Sequence, residues 1–208
     1  AGSDSKVYDG TPLTKNTYSV TGDLANGDKI DSITVTGTIT NVGKTDNAAS
    51  NAVIKNAAGK DVTANYTITY EKGELEVTPV TSEIEVTITG NSKTVTYNGQ
   101  EQSVDGYKVT LPDDLDGQVE VALKDGESAV AQGTDVNTYN MGLTKDKFNV
   151  TSANYSNIKV TVIDGKLTVN PRALTITAGS DSKVYDGTPL TKNTYSVTGD
   201  LASGDNID

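Results

Sequence analysis

An all-β chain made of small β-sheet modules in tandem is what this sequence predicts, and three observations carry the prediction. Thr, Val, Ile and Tyr fill short runs that are cut by Gly, Asn and Asp, the residue usage of strands and tight turns. Within several runs apolar and polar residues alternate with period two, as a strand with one buried face requires. The stretch 1–25 also returns unchanged as 178–202, a period of 177 residues, after which only Asn26 against Ser203 and Lys29 against Asn206 differ. A near-identical copy marks a tandem array, so function is expected to belong to the array and not to one enzyme-like fold. Each module, roughly 80 to 90 residues, can bury one modest core, either as an immunoglobulin-like sandwich or as a β-grasp-like sheet.

The first module spans 1–79. Ala1 corresponds to Ala178, which follows Leu174-Thr-Ile-Thr177, so this module is expected to lack its opening strand in the present sequence. Residues 17–22 read as a short strand, Gly27-Asp28 as a turn, and Ile33, Val35 and Ile39 as the apolar face of another strand. Residues 46–60, rich in Ala and Asn with Val53-Ile54 as the one apolar pair, read as a loop with a helical turn. A closing hairpin follows, with Tyr66, Ile68 and Tyr70 on one arm, Leu75 and Val77 on the other, and Pro79 as the boundary.

The second module, 80–171, repeats this plan in diverged form. Ile84, Val86 and Ile88 open it, Tyr97-Asn98-Gly99 stands where Tyr8-Asp9-Gly10 stood, and 119–123 is a middle strand. Ile158, Val160 and Val162 form a hairpin through Asp164-Gly165 with Leu167 and Val169. Residues 172–208 begin the first type again. Thr-Pro-Val-Thr and Asn-Pro-Arg-Ala at the two junctions restrict φ and leave no slack. Parallel first and last strands and an elongated rod are the expected consequence.

Composition narrows the function. There is no Cys and no His, which removes disulfides, thiolate metal sites and the usual proton shuttle. Seventeen basic against 28 acidic residues give a net charge of −11, which repels nucleic acid and anionic lipid alike. No apolar run approaches membrane-spanning length, so no membrane insertion is expected in this segment.

Lys-Val-Tyr-Asp-Gly-Thr-Pro-Leu, then Val-Thr-Gly-Asp-Leu-Ala-Asn-Gly-Asp, then Ala-Asn-Tyr-Thr-Ile-Thr-Tyr-Glu-Lys-Gly-Glu-Leu-Glu-Val-Thr-Pro resembles the MBG/YDG-type repeat of large bacterial surface proteins and adhesins. The likeness covers the first module closely; in the second, residues 105–147 depart from the pattern. What the resemblance implies is an extracellular, cell-wall-associated protein whose modules are stacked as a stalk behind an adhesive tip. It implies no catalytic, cofactor or metal residues.

Several motifs carry a sharper and a plainer reading. Tyr8, Tyr97 and Tyr185 recur in one structural place, as a repeated binding aromatic for sugar rings or as a cap on a small core with a wet hydroxyl; the cap is the expectation. Asp114-Leu-Asp116-Gly117 and the loop 23–31 have carboxylate spacings that suit Ca²⁺, yet neither completes a calcium motif, and both read as solvated turns. Ser3-Asp-Ser-Lys6 and Ser156-Asn-Ile-Lys159 fit Ser-x-x-Lys without the helix start and partner motifs that chemistry needs. Sequons at Asn65, Asn149 and Asn154 are idle in a bacterial protein. A Lys–Asn or Lys–Asp isopeptide bond is the one covalent link open to a cysteine-free stalk, but no triplet stands out.

No enzyme is expected. The expected partners are neighbouring modules of the same chain, with host glycan, mucin or matrix protein as ligands on the rival reading, and head-to-tail self-association in which 174–177 completes the first sheet of another copy.

Overall fold

The computed structural model describes residues 1–207. It is all-β: sixteen strands and three three-residue 3₁₀ turns, at Thr63–Asn65, Asp113–Leu115 and Lys145–Lys147, with no α-helix among the described residues. The chain packs into two compact units, one of Ala1–Glu85, Pro112–Glu120 and Val150–Lys159, the other of Val86–Leu111, Val121–Asn149 and Val160–Asp208.

The first module supplies β1 (Asp4–Val7), β2 (Lys29–Thr36), β3 (Gly43–Lys55) and β4 (Gly73–Thr78), joined in the order β1-β4-β3-β2. The β4 strand lies between a parallel neighbour, with Asp4 opposite Leu75 and Val7 opposite Thr78, and an antiparallel one, with Gly43 opposite Val77. Its alternate residues Leu75 and Val77 are fully buried with Leu13, and Tyr8, Ile39 and Val42 pack against them. Leu13 and Ile39 exchange backbone hydrogen bonds of 2.8 and 3.2 Å, so Ile39 closes this core from beyond the end of β2.

The second module supplies β5 (Ile84–Gly90), β6 (Ser92–Thr96), β7 (Gln102–Asp105), β8 (Tyr107–Thr110), β9 (Glu120–Leu123), β10 (Val130–Gly133), β11 (Asn137–Asn140), β12 (Phe148–Thr151), β13 (Ile158–Ile163) and β14 (Lys166–Asn170). Two three-stranded sheets, β11-β14-β6 and β13-β5-β8, are accompanied by the ribbons β10-β7 and β12-β9. Val86 and Ile88 from β5 and Leu167 and Val169 from β14 are buried to 2% exposure or less. Tyr107 and Phe148 add an edge-to-face pair at 5.0 Å. The third copy contributes β15 (Thr175–Ala178) and β16 (Tyr195–Thr198), paired antiparallel. In both modules the closing strand runs parallel to the strand that leads into the Tyr-Asx-Gly turn, β4 beside β1 and β14 beside β6.

Three local expectations are corrected. Residues 46–55 are no loop: Gly43–Lys55 is the longest strand, flanked on both sides by β2 and β4, and only 56–60 of the expected loop is a turn. Its inward positions hold Asn47 and Ala52 as well as Ile54, and the first two are too polar or too small to show a period-two pattern, while Asn51 at φ 52° bulges the register. The closing hairpins do not form. In the second module both arms are strands, yet β13 pairs with β5 and β14 with β6 and β11, so the Asp164-Gly165 turn carries the chain from one sheet to another. The backbone there is so close that a Cβ on Gly165 would lie 2.4 Å from Asn91 O and one on Gly90 2.4 Å from Gly165 N.

In the first module neither 17–22 nor 66–71 is a strand. The reason is visible in the second, where their counterparts β8 and β13 flank β5 on either side. The first module has no counterpart of β5 in this sequence, and strands form by pairing. The identical tetrapeptide Tyr-Ser-Val-Thr is a strand at 195–198, where β15 is present, and is not at 18–21.

Candidate functional site: a tyrosine at the module joint

In the first compact unit β1 runs into Tyr8, whose amide donates to Thr78 O at 2.9 Å beside β4. The half-buried Tyr8 ring meets Tyr155 edge to face, centroids 5.9 Å apart at 75°. Its hydroxyl donates to Gln118 Oε1 at 3.2 Å, and that oxygen also accepts Asn154 Nδ2 at 3.1 Å. Asn154, only 5% exposed, accepts Val42 N–H on its Oδ1 at 3.0 Å. Residues of the first module thus bond to two segments of the second. The connection is held as well: Val80 N donates to Asn154 O and Ser156 N to Val80 O, at 2.9 and 3.0 Å. Burial, ahead of the neighbouring Tyr8 and Asp114, pushes the Tyr155 phenol up.

The arrangement recurs in the second compact unit. Tyr97 donates its amide to Asn170 O at 2.9 Å and its hydroxyl to Asp205 Oδ1 at 3.3 Å. Burial first and the Asp205 charge second raise the Tyr97 phenol pKa. Gly99, at φ +77°, lets the turn lie against the loop of the next copy, where a Cβ would stand 2.6 Å from Ser203 O. Gln118 and Asp205 occupy one place, the residue after the loop glycine, and Asp28 is their counterpart in the first module. Asp28 instead accepts the hydroxyl of Tyr66 at 2.6 Å, which holds the Tyr66 phenol above its ordinary value. Tyr185, the third of the series, has no such loop over it among the described residues and is 92% exposed. A tyrosine of this series is therefore covered by a loop of the succeeding module, and the hydroxyl that was expected to be wet is bonded at two of the three positions.

The turn beneath the tyrosine is locked by its own lysine. Lys6 Nζ reaches Asp9 at 2.6 Å and Thr11 O at 2.6 Å, and the copy repeats this with Lys183 and Asp186 at 2.7 Å. The ammonium holds both carboxyls low, Asp186 at about 2. In the second module Asn98 does the work uncharged, accepting Gln100 N–H at 2.9 Å.

The other candidates are dispersed. Asp31 pairs with Lys55 at 2.8 Å, and Asp114 and Asp116 flank the buried Leu115. No three acidic side chains converge among the described residues. Ser3 Oγ accepts Glu74 N–H while Lys6 turns to Asp9; Ser156 Oγ donates to Val80 O while Lys159 pairs with Glu83 and Glu85. Neither Ser-x-x-Lys brings its two groups together. The most buried asparagine, Asn47, donates to Gly2 O and Lys15 O, and its Oδ1 has no partner. Of the sequons, Asn65 and Asn149 are exposed and Asn154 is buried in the joint. Beside that joint a cavity of about 590 Å³ is lined by Asn41, Gln118, Glu120, Thr151, Ser152 and Asn154, among others. Gln118 and Asn154 were missed as joint residues by sequence reading; the signal available was the position of Gln118 after the loop glycine, where the other copies carry Asp28 and Asp205.

A family model described as MBG domain matches residues 84–171. This segment is an MBG-type module. The MBG match falls on the diverged second module and runs through 105–147, the stretch that departs from the repeat pattern of the first. MBG domains are repeat modules of surface proteins and not an enzyme family. No curated protein and no solved structure matches the chain. No helix among the described residues is long and apolar enough to cross a membrane.

Proposed function

We propose that the chain is a repetitive spacer of a bacterial surface adhesin, which projects a binding tip from the cell wall. The observation that carries this reading is the recurrent joint: twice, a tyrosine before an Asx-Gly turn is seated on the loop of the next module, and the proline-containing connection is itself hydrogen-bonded at Val80. A spacer needs joints that resist bending, and a half-buried aromatic with a bonded hydroxyl supplies contact area and direction together. The net charge of −11 keeps such arrays from collapsing on one another. Small-angle scattering of one complete period is the test, with Tyr8→Ala and Tyr97→Ala beside the wild type. An elongated particle that becomes more flexible in the double variant supports the spacer; a compact globule rules it out.

A second reading, a module that itself binds mucin, host glycan or matrix protein, is favoured by the cavity beside Asn154. Amides, hydroxyls and one carboxylate line it, groups that suit a neutral sugar. Saturable binding to immobilised mucin or a glycan array, lost in Glu120→Ala, would move the function there.

A further inference from the structure

The tyrosine turn of the second module differs chemically from its counterparts at one residue, Asn98, where they carry Asp9 and Asp186. Asn-Gly occurs twice in the chain, at Asn26-Gly27 and Asn98-Gly99. In this dipeptide the next main-chain nitrogen reaches the side-chain carbonyl most readily, because glycine has no Cβ to block the approach and its φ is free to follow. Asn98 is exposed, and Gly99 stands at φ +77°. The Gly99 amide has no hydrogen-bond partner among the described residues, so ring closure onto it breaks no bond of the fold. Asn98 Oδ1 accepts Gln100 N–H at 2.9 Å, which holds the side chain back against its own backbone and polarises the carbonyl carbon.

Deamidation has two products, and the fold treats them differently. Aspartate is what the other turns already contain: Asp9 Oδ1 accepts Thr11 N–H and Asp186 Oδ1 accepts Thr188 N–H, each at 2.9 Å, the bond that Asn98 makes to Gln100. Isoaspartate instead carries the main chain through the side-chain methylene and lengthens it by one atom. The Gly99 backbone already lies against the loop at 202–203, where even a Cβ would stand 2.6 Å from Ser203 O and 3.5 Å from Ala202 Cβ. The longer chain has no room there.

We propose that Asn98 deamidates spontaneously in the folded protein and that its isoaspartyl product loosens the tyrosine joint of the second unit as the protein ages. The Gly99 nitrogen gives up its proton to solvent and bonds to Asn98 Cγ. The Cγ–Nδ2 bond breaks, ammonia leaves with a proton taken from solvent, and a succinimide ring is closed. Water then opens the ring: cleavage between Cγ and Gly99 N restores the normal chain as an aspartate, and cleavage between the Asn98 main-chain carbonyl carbon and Gly99 N leaves isoaspartate. Water is the one co-reactant, and nothing is oxidised or reduced. The contacts put at risk are the Tyr97 hydroxyl bond to Asp205 Oδ1 and the Tyr97 amide bond to Asn170 O. Val95 stands where Lys6 and Lys183 neutralise the other turns, so neither product's carboxylate gains an ammonium partner from that position.

The experiment ages the whole chain in warm, mildly alkaline buffer, in an Asn26→Ser background that removes the other Asn-Gly by installing the residue the third copy carries there, Ser203. Peptide mapping is expected to show a mass gain of about 1 Da first in the peptide that contains Asn98. Protein isoaspartyl methyltransferase should methylate that same peptide. Hydrogen exchange at the Tyr97 amide should become about fivefold faster in the aged chain, the weight of one lost hydrogen bond. Asn98→Asp, aged over the same interval, supplies the carboxylate without the longer main chain and should exchange as fresh protein does. If Asn98 stays intact while a synthetic peptide of residues 94–102 converts, the fold forbids ring closure and the proposal is overturned. Isoaspartate that leaves Tyr97 exchange unchanged, or an aged Asn98→Asp chain loosened to the same degree, overturns it as well.

Discussion

Replacing Asn154 by Ala is the sharpest perturbation of the first joint. The change removes the acceptor of the Val42 amide at 3.0 Å and the donor to Gln118 Oε1 at 3.1 Å, in a residue 5% exposed. An amide left unsatisfied in a buried setting costs about 1–3 kcal/mol, and the lost bond to Gln118 about 1 more, so a loss near 2 kcal/mol follows for partly buried partners. In a unit of about 100 residues that corresponds to a fall of roughly 10 °C in Tm. Thermal and urea unfolding read the global loss, and hydrogen exchange at the Val42 amide reads the local one. Asn149→Ala, at an exposed asparagine, serves as the control and should stay within about 0.5 kcal/mol of wild type. If Asn154→Ala unfolds with the control, or leaves Val42 exchange unchanged, the joint is not held by this side chain and the reasoning fails.

Tyr97→Phe removes the hydroxyl bonded to Asp205 and should cost about 0.5–1.5 kcal/mol in urea unfolding, whereas Tyr185→Phe, at a 92% exposed ring, should cost nothing measurable. Gly165→Ala would put a Cβ 2.4 Å from Asn91 O and 2.7 Å from Gly90 C; the backbone must move, and destabilisation above about 2 kcal/mol is expected by the same assay. The Asp186 carboxyl should titrate near pH 2 by NMR and return towards 3.8 in Lys183→Ala. Its folded pKa is depressed, so the turn's contribution is fully present above about pH 3.8 and is lost as pH falls through about 2.

Much of this was legible in the residues. The period of 177, the parallel placement of the three tyrosine turns and the all-β class follow from identity and alternation alone. The buried faces of β4 and β14 were legible too, because Leu75, Val77, Leu167 and Val169 stand at every second position. Pairing partners were not. Leu-Glu-Val after a Gly turn reads as the second arm of a hairpin, and only the long-range neighbours β1 and β6 take that strand into a different sheet. In β3, Asn47 and Ala52 hide a buried face, since an inward position next to a close backbone takes a small or hydrogen-bonding side chain as readily as an aliphatic one.

The site divides in the same way. Sequence by itself determined that Tyr8, Tyr97 and Tyr185 are equivalent and that their turns are built from Asx-Gly, because those properties are local. Tertiary structure decided that Tyr8 and Tyr97 are joints. Whether a ring is covered and its hydroxyl bonded depends on a loop more than 100 residues further along the chain, at Gln118 and Asp205, and no local pattern encodes that distance. The same holds for Tyr-Ser-Val-Thr, one tetrapeptide with two conformations: its strand at 195–198 is conferred by the neighbour in β15, because a strand's hydrogen bonds are completed by its partner.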